Sequence, residues 1–184
     1  NLPVTSGVAG GFILDDQHIW CFTAGSSPVI YDTSNGGGMW NSNTQVARPD
    51  VVKFYDTQYG IALDGRMVYQ TKNGGGQWTL VSNGVIHNSV NDITFGASPN
   101  VLMAATFNAV PTISQDSGRT WTQKPMGLIN QRNYSIASIS DEDFWVGNDL
   151  SSVAFTTDAG TSWIETSGPG RRVMNDVFFL NRND

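Results

Sequence analysis

The chain has 184 residues, 39% of them hydrophobic and 11% aromatic, which is enough apolar surface for a core and too much for disorder. Ten Lys plus Arg against sixteen Asp plus Glu leave a net charge of −6, and that disfavours a nucleic-acid partner, since phosphate binding needs clustered cations. A single cysteine, Cys21, excludes an internal disulfide and thiolate-pair metal sites, and no apolar run approaches the roughly 18 residues of a transmembrane helix.

In chain order, short β-like runs lead into glycine-rich turns, and one more run follows each turn. Residues 11–14, 19–22 and 29–32 precede the octapeptide 33–40. Residues 51–55, 60–63 and 67–71 precede 71–78, and 78–81 follow it. Residues 91–95, 101–105 and 111–113 precede 114–121, and residues 135–139, 144–147 and 153–156 precede 156–163. No amphipathic helix is expected anywhere. Cys21 sits in the apolar run Ile19-Trp20-Cys21-Phe22 and reads as a small buried hydrophobe.

The four octapeptides share one pattern: a hydroxyl residue, then Asn35, Asn73, Asp116 or Asp158, then Gly37, Gly75, Gly118 or Gly160, and a closing Trp40, Trp78, Trp121 or Trp163. An Asn or Asp side chain folds onto nearby backbone N–H groups, and the glycine takes a positive φ at no steric cost. Each octapeptide therefore predicts a tight hairpin whose tryptophan opens the returning strand with a large ring to bury. The tryptophans are spaced 38, 43 and 42 residues apart, the period of a four-stranded propeller blade and too long for a leucine-rich repeat.

This recurring octapeptide resembles the Asp-box, or BNR, repeat of sialidases, some xyloglucan-degrading hydrolases, sortilin-like receptors and a photosystem II assembly-factor family. Blade grammar is most similar to the assembly-factor propellers: Val52-Lys53-Phe54 through Trp78, and Phe144-Trp145-Val146-Gly147 through Trp163, follow their order. The resemblance implies an all-β propeller of four-stranded antiparallel blades in which the box is a structural staple without catalytic work.

The blades are expected at about 8–45, 50–86, 90–126 and 133–168. Residues 173–184 look like the first strand of a fifth blade, because Met174-Asn175-Asp176-Val177-Phe178-Phe179 echoes Val90-Asn91-Asp92-Ile93-Thr94-Phe95. We therefore expect a partial propeller belonging to a six- or seven-bladed ring, with missing blades or an oligomeric partner covering the open strand edges. The chain begins at Asn1 with neither Met nor signal peptide, as a processed protein or an excerpt would.

In such a blade the a–b and c–d turns share one end, and the b–c and d–a connections share the other. Asp15-Asp16, Asp56, Asp141-Glu142-Asp143, Asp116 and Asp158 fall at the turn end. Arg48, Arg132, Arg171 and Arg172, with His87, fall in d–a connections, and Arg66 falls in a b–c turn. Planar guanidinium groups suit carboxylates and phosphates. These residues, with Tyr134 beside Arg132, are the candidate surface for a protein or an acidic or polar glycan.

No cofactor and no metal site is expected. His18 and His87 lack ligand spacing, and the acidic turns lack the dense ligand pattern of a calcium loop. Glycosidase chemistry needs paired carboxyl groups or a Tyr nucleophile. The chain has only two glutamates, Glu142 in an a–b turn and Glu165 after the fourth box, although Asp50, Asp64, Asp149 and Asp176 could reach the other end. The reading is a non-catalytic docking propeller, secreted or on a virion surface as the Asn-rich, Lys-poor composition suggests. Its alternatives are an assembly-factor-like propeller in a periplasm or thylakoid lumen, and a sialidase-like hydrolase fragment. Asn133-Tyr134-Ser135 is a lone glycosylation sequon that chance explains.

Overall fold

A computed structural model describes residues 7–83, 90–106, 110–127, 132–149, 152–167 and 176–177. Short runs of β-branched and aromatic residues, punctuated by Gly, Asn and Asp, form strands and no helix among these residues. The strands are β1 (Val8–Ile13), β2 (Ile19–Thr23), β3 (Ile30–Thr33), β4 (Asn41–Asn43), β5 (Val51–Phe54), β6 (Gly60–Asp64), β7 (Met67–Thr71) and β8 (Thr79–Asn83). They continue as β9 (Val90–Phe95), β10 (Leu102–Thr106), β11 (Thr112–Ser114), β12 (Thr122–Gln123), β13 (Asn133–Ser138), β14 (Phe144–Asn148), β15 (Ser152–Thr156) and β16 (Ile164–Ser167). Four consecutive strands make each antiparallel sheet, in simple meander order. The chain is thus all-β, four four-stranded sheets, as the repeat predicts; the expected strand at 173–184 lies outside the described residues apart from 176–177.

The chain divides into two compact units, Asn1–Gly84 and Val85–Asp184. In the first, β1 and β5 lie against each other and an aromatic core fills the space between the sheets. Trp20 of β2 stacks on Phe54 of β5 at a 3.7 Å centroid distance, and Trp78 meets the same Phe54 edge-on at 5.9 Å. The Trp20 indole N–H donates to Gly74 O at 2.7 Å, so one side chain both packs on the next sheet and bonds its turn. Phe54 lies flat over Gly60, where an added Cβ would stand 2.7 Å from the ring. In the second unit β9 and β13 adjoin, and the core is mostly aliphatic, with Met103, Ile113, Met126, Ile136 and Val146 around one buried aromatic ring, Phe144. Asp92 Oδ2 of β9 accepts Ile136 N of β13 at 3.2 Å, and Asp141 Oδ1 accepts Ser98 N at 2.8 Å.

All four octapeptides adopt one hydrogen-bonded form. In the second, the Thr71 hydroxyl donates to Asn73 Oδ1 at 3.0 Å and accepts Gly75 N at 3.0 Å, while the same Asn73 Oδ1 accepts Gln77 N at 2.8 Å. Thr33, Ser114 and Thr156 repeat this with Asn35, Asp116 and Asp158. Two successive residues take positive φ, the second always glycine; the first is Gly36, Gly74, Ser117 (φ 64°) or Ala159 (φ 55°). The amide of that first residue donates to the a–b turn of its own sheet, at Gln17 O, Gln58 O, Asn100 O or Glu142 O. Both turns at that end are thereby tied together.

The Asn and Asp versions differ in one place. Asp116 and Asp158 use their second oxygen to accept the hydroxyls of Thr120 and Ser162, at 2.7 and 2.6 Å. Asn35 and Asn73 carry Nδ2 there, which cannot accept, and the corresponding residues are Met39 and Gln77. The closing tryptophans correct the expectation of burial. Only Trp78 is buried; Trp40, Trp121 and Trp163 are half-buried, and each stands one residue before its strand. The largest buried ring of the first unit belongs instead to Trp20, because β2 lies inside its sheet while the octapeptides close onto outer strands.

Thr71→Val should cost about 1–3 kcal/mol in denaturant unfolding, because it leaves the buried Gly75 amide without its acceptor. Gly60→Ala should cost a similar ~1–3 kcal/mol by pushing Phe54 off Trp20. The Asp158 carboxyl is lowered from 3.8 to about 2, first by the Ser162 hydroxyl and amide and then by Thr156. Folding thus favours its ionised form, so its contribution is complete above the unfolded value and is lost as pH falls from about 4 toward 2. Asp158→Asn should lower Tm near neutrality and flatten its decline across that acid window.

Candidate functional site

At the end of the sheets bearing the b–c and d–a connections, aspartates hold the loops. Arg48 N donates to Asp64 Oδ2 at 3.2 Å, and Gly65 N donates to Asp50 Oδ2 at 2.7 Å, so the two carboxylates fasten the entry to β5 onto the β6–β7 turn. The same device recurs before β13: Arg132 N donates to Asp149 Oδ1 at 3.1 Å, and Asp149 N returns a bond to Arg132 O at 3.1 Å. Arg48 and Arg132 are exposed and occupy one repeat position, each six residues before the last paired residue of its strand, Phe54 or Ser138. Arg66 is exposed in the β6–β7 turn next to Gly65.

Tyr134 is half-buried and sits at a break in register, since Asn133 pairs with Asn148 and Ser135 with Gly147, leaving Tyr134 as the extra residue of a bulge. A comparable shift places Asn91 as the extra residue of β9, where its Nδ2 donates to Asn133 O at 2.5 Å. Bulges redirect a side chain from the pleat, and the run expected at 135–139 begins after Tyr134, so the sequence did not place it on this bulge. Asn133 is fully buried, so the sequon is closed to glycosylation in the folded chain. His87, Arg171 and Arg172 lie outside the described residues. Sequence therefore supplied Arg48, Arg66, Arg132 and Tyr134, and missed Asp64 and Asp149 as the anchors of two of them. The signal for the anchors was an aspartate at the end of each second strand, Asp64 as the last residue of β6 and Asp149 just after β14.

At the opposite end the acidic turns prove to be structural. Asp15 Oδ1 accepts Gln17 N and His18 N at 2.9 and 2.7 Å and pairs with His18 Nδ1; the backbone bonds from His18 and Gln17 hold its carboxyl below the usual range. Asp56 accepts Gln58 N and Tyr59 N in the same way. For Asp116, burial pushes the carboxyl up, but the Thr120 hydroxyl and amide and the Ser114 hydroxyl override it and leave it lowered. Among the described residues no group of three His, Cys, Asp or Glu side chains could hold a metal. Burial raises the Cys21 thiol, in keeping with a buried hydrophobe. Glu142 is exposed in its turn, and Glu165 on β16 accepts the Ser152 hydroxyl at 2.5 Å.

The first unit also carries a cavity of about 220 Å³ at the turn end, between its two sheets, that sequence alone did not reveal. Its walls include His18, Trp20, Asp32, Asn41, Gln58 and Asn73.

No family model and no curated protein matches this chain. Solved structures do resemble it. YCF48 from Cyanidioschyzon merolae matches over 92% of this chain and 60% of that one, with 15% identity and a TM-score of 0.68. Virginiamycin B lyase from Staphylococcus aureus matches over 91% of this chain and 58% of that one, with 15% identity and a TM-score of 0.71. YCF48 bound to D1 peptide matches over 89% of this chain and 83% of that one, with 14% identity and a TM-score of 0.55. The chain thus spans about 60% of the length of the first of these. At such identities the likeness is one of architecture, and with the four meander sheets it makes this chain a β-propeller of four-stranded blades.

Proposed function

We infer that this chain is a non-catalytic docking propeller that engages a protein, or a polar or acidic glycan, through the b–c and d–a end of its blades. The octapeptide turns then serve as Asp-box staples. The observation that carries this reading is the repeated presentation of Arg48 and Arg132: two exposed cations at one repeat position, each with its backbone fastened by an aspartate of the facing turn. Fastening the loop lowers the entropy lost when a guanidinium engages a carboxylate, and the planar fork fits that group with two parallel hydrogen bonds. Arg66 adds a third exposed cation at the same end, and His87, Arg171 and Arg172 belong to the proposed surface by sequence. Tyr134 would supply an amphipathic ring beside Arg132.

A protein partner is supported by the resemblance to YCF48, one structure of which holds a D1 peptide. That likeness also supports the assembly-factor reading, which differs in the partner and not in the chemistry of the surface. Composition supports a secreted or virion-surface setting, with a periplasm or thylakoid lumen as the alternative. A hydrolase is disfavoured by the work already assigned to the carboxylates. Asp50, Asp64 and Asp149 fasten loops, and Glu165 holds Ser152.

The test is biolayer interferometry with a glutamate-rich peptide and its glutamine counterpart. Arg48→Glu with Arg132→Glu should weaken binding of the acidic peptide about tenfold or more, ~1.4 kcal/mol, at unchanged Tm, and added salt should weaken the parent in the same direction. Equal affinity of parent and double variant sinks the surface, and turnover of fluorogenic glycosides by the parent sinks the non-catalytic assignment.

A further inference from the structure

The cavity of the first unit lies at the end opposite the arginines and is independent of them. Its floor is Trp20, 2% exposed, whose indole N–H is already given to Gly74 O. The His18 imidazole lies over that indole at 6.4 Å and 22°, and its Nδ1 is taken by Asp15, which leaves Nε2 as the nitrogen available for a ligand. Asp32 and Asn41 form a cross-strand pair on β3 and β4, with Asn41 Nδ2 donating to Asp32 Oδ2 at 2.8 Å. The hydroxyls of Ser34 and Thr57 and the amides of Gln58 and Asn73 complete the walls.

Volume and chemistry together narrow the occupant. About 220 Å³ falls below the roughly 300–1,000 Å³ of most small-molecule sites, so the space suits one six-membered ring and not an extended chain. The walls carry both donors and acceptors, Thr33, Ser34, Asn73 and Gly74 coming from the two octapeptide turns, and no Lys or Arg lines them. An anionic ligand would meet Asp32 with no cation to offset it. A neutral, hydroxyl-rich ring meets a carboxylate and an amide already oriented by each other, so adjacent hydroxyls can donate to Asp32 and accept from Asn41.

The geometry points to a second binding site, a subsite for a single neutral pyranose unit, between the first two blades at their turn end. The scaffold suits the task, because the clasps of Thr33 and Thr71 fix both walls and the Trp20 bond fixes the floor before any ligand arrives.

The experiment uses the whole chain and a panel of neutral hexoses and N-acetylhexosamines, with glucuronate and a lysine amide as comparators, read by NMR. A neutral sugar should give saturation transfer and shift the Trp20 indole N–H signal, with affinity in the millimolar range. Asp32→Ala and Asn41→Ala should each weaken it about tenfold or more, while Arg48→Glu with Arg132→Glu leaves it unchanged. Should the two alanine variants prove destabilised, Thr57→Trp, which fills the cavity from a half-buried wall position, should abolish binding at parental Tm. Binding of no neutral sugar, preference for glucuronate or the amine, or sugar binding unaffected by all three cavity variants overturns the subsite. Loss of peptide binding in the arginine variant has no bearing on these outcomes, so the two surfaces stand or fall separately.

Discussion

One hydroxyl, used twice, underlies the architecture. In each octapeptide a Thr or Ser donates to the side-chain oxygen two residues on and accepts the glycine amide four residues on, while that oxygen accepts a second amide two residues further along. The hydroxyl, the Asn or Asp Oδ1 and the glycine amide are thus satisfied inside eight residues, which allows the amides of Gly75, Gly118 and Gly160 to be buried. The next amide reaches across to the neighbouring turn of the same sheet, so an entire end of each blade becomes one hydrogen-bonded unit.

The two versions of the bend show how chemistry at one position constrains another. Where the third residue is Asp, the seventh is Thr or Ser and feeds its hydroxyl proton to the second carboxylate oxygen; where it is Asn, the seventh carries no hydroxyl. This pairing explains why Asn35 and Asn73 serve as well as Asp116 and Asp158: only Oδ1 makes the shared bonds. It also leaves the Asn35 and Asn73 side chains uncharged in the two bends of the first unit, which border its cavity. Carboxylates at these positions would add negative charge beside that of Asp32, whereas the amides leave Asp32 as the one carboxylate of the cavity wall.

The octapeptide turns and the arginine-bearing loops lie at opposite ends of their blades. At one end the acidic side chains of Asp15, Asp56 and Asp116 are spent on backbone amides, and so offer little to a cation or a basic partner. At the other, aspartates of the b–c turns spend their carboxylates on the backbone of the arginine-bearing loops, and the guanidinium groups stand at the surface. Charge is therefore directed by local hydrogen bonding, not by the overall balance of −6. A strongly acidic chain can still expose arginines where neighbouring carboxylates are engaged by backbone amides.

Much of this was legible in the residues themselves. A bend that closes within eight residues depends on local bonding, so its recurrence at Trp40, Trp78, Trp121 and Trp163 specified four meander sheets and their turn ends without any coordinates. The short β-like runs between those bends located the strands as well. What required the tertiary structure was everything set between distant segments: that Trp20 and not three of the four closing indoles takes the buried ring position, that Tyr134 and Asn91 fall on bulges, and that Asp64 and Asp149 fasten the arginine loops. The cavity belongs to that group as well, since it is bounded by side chains from both sheets, and a void between two surfaces exists only once they have been brought together. Local chemistry sets the bends, but packing across sheets decides which side chains meet.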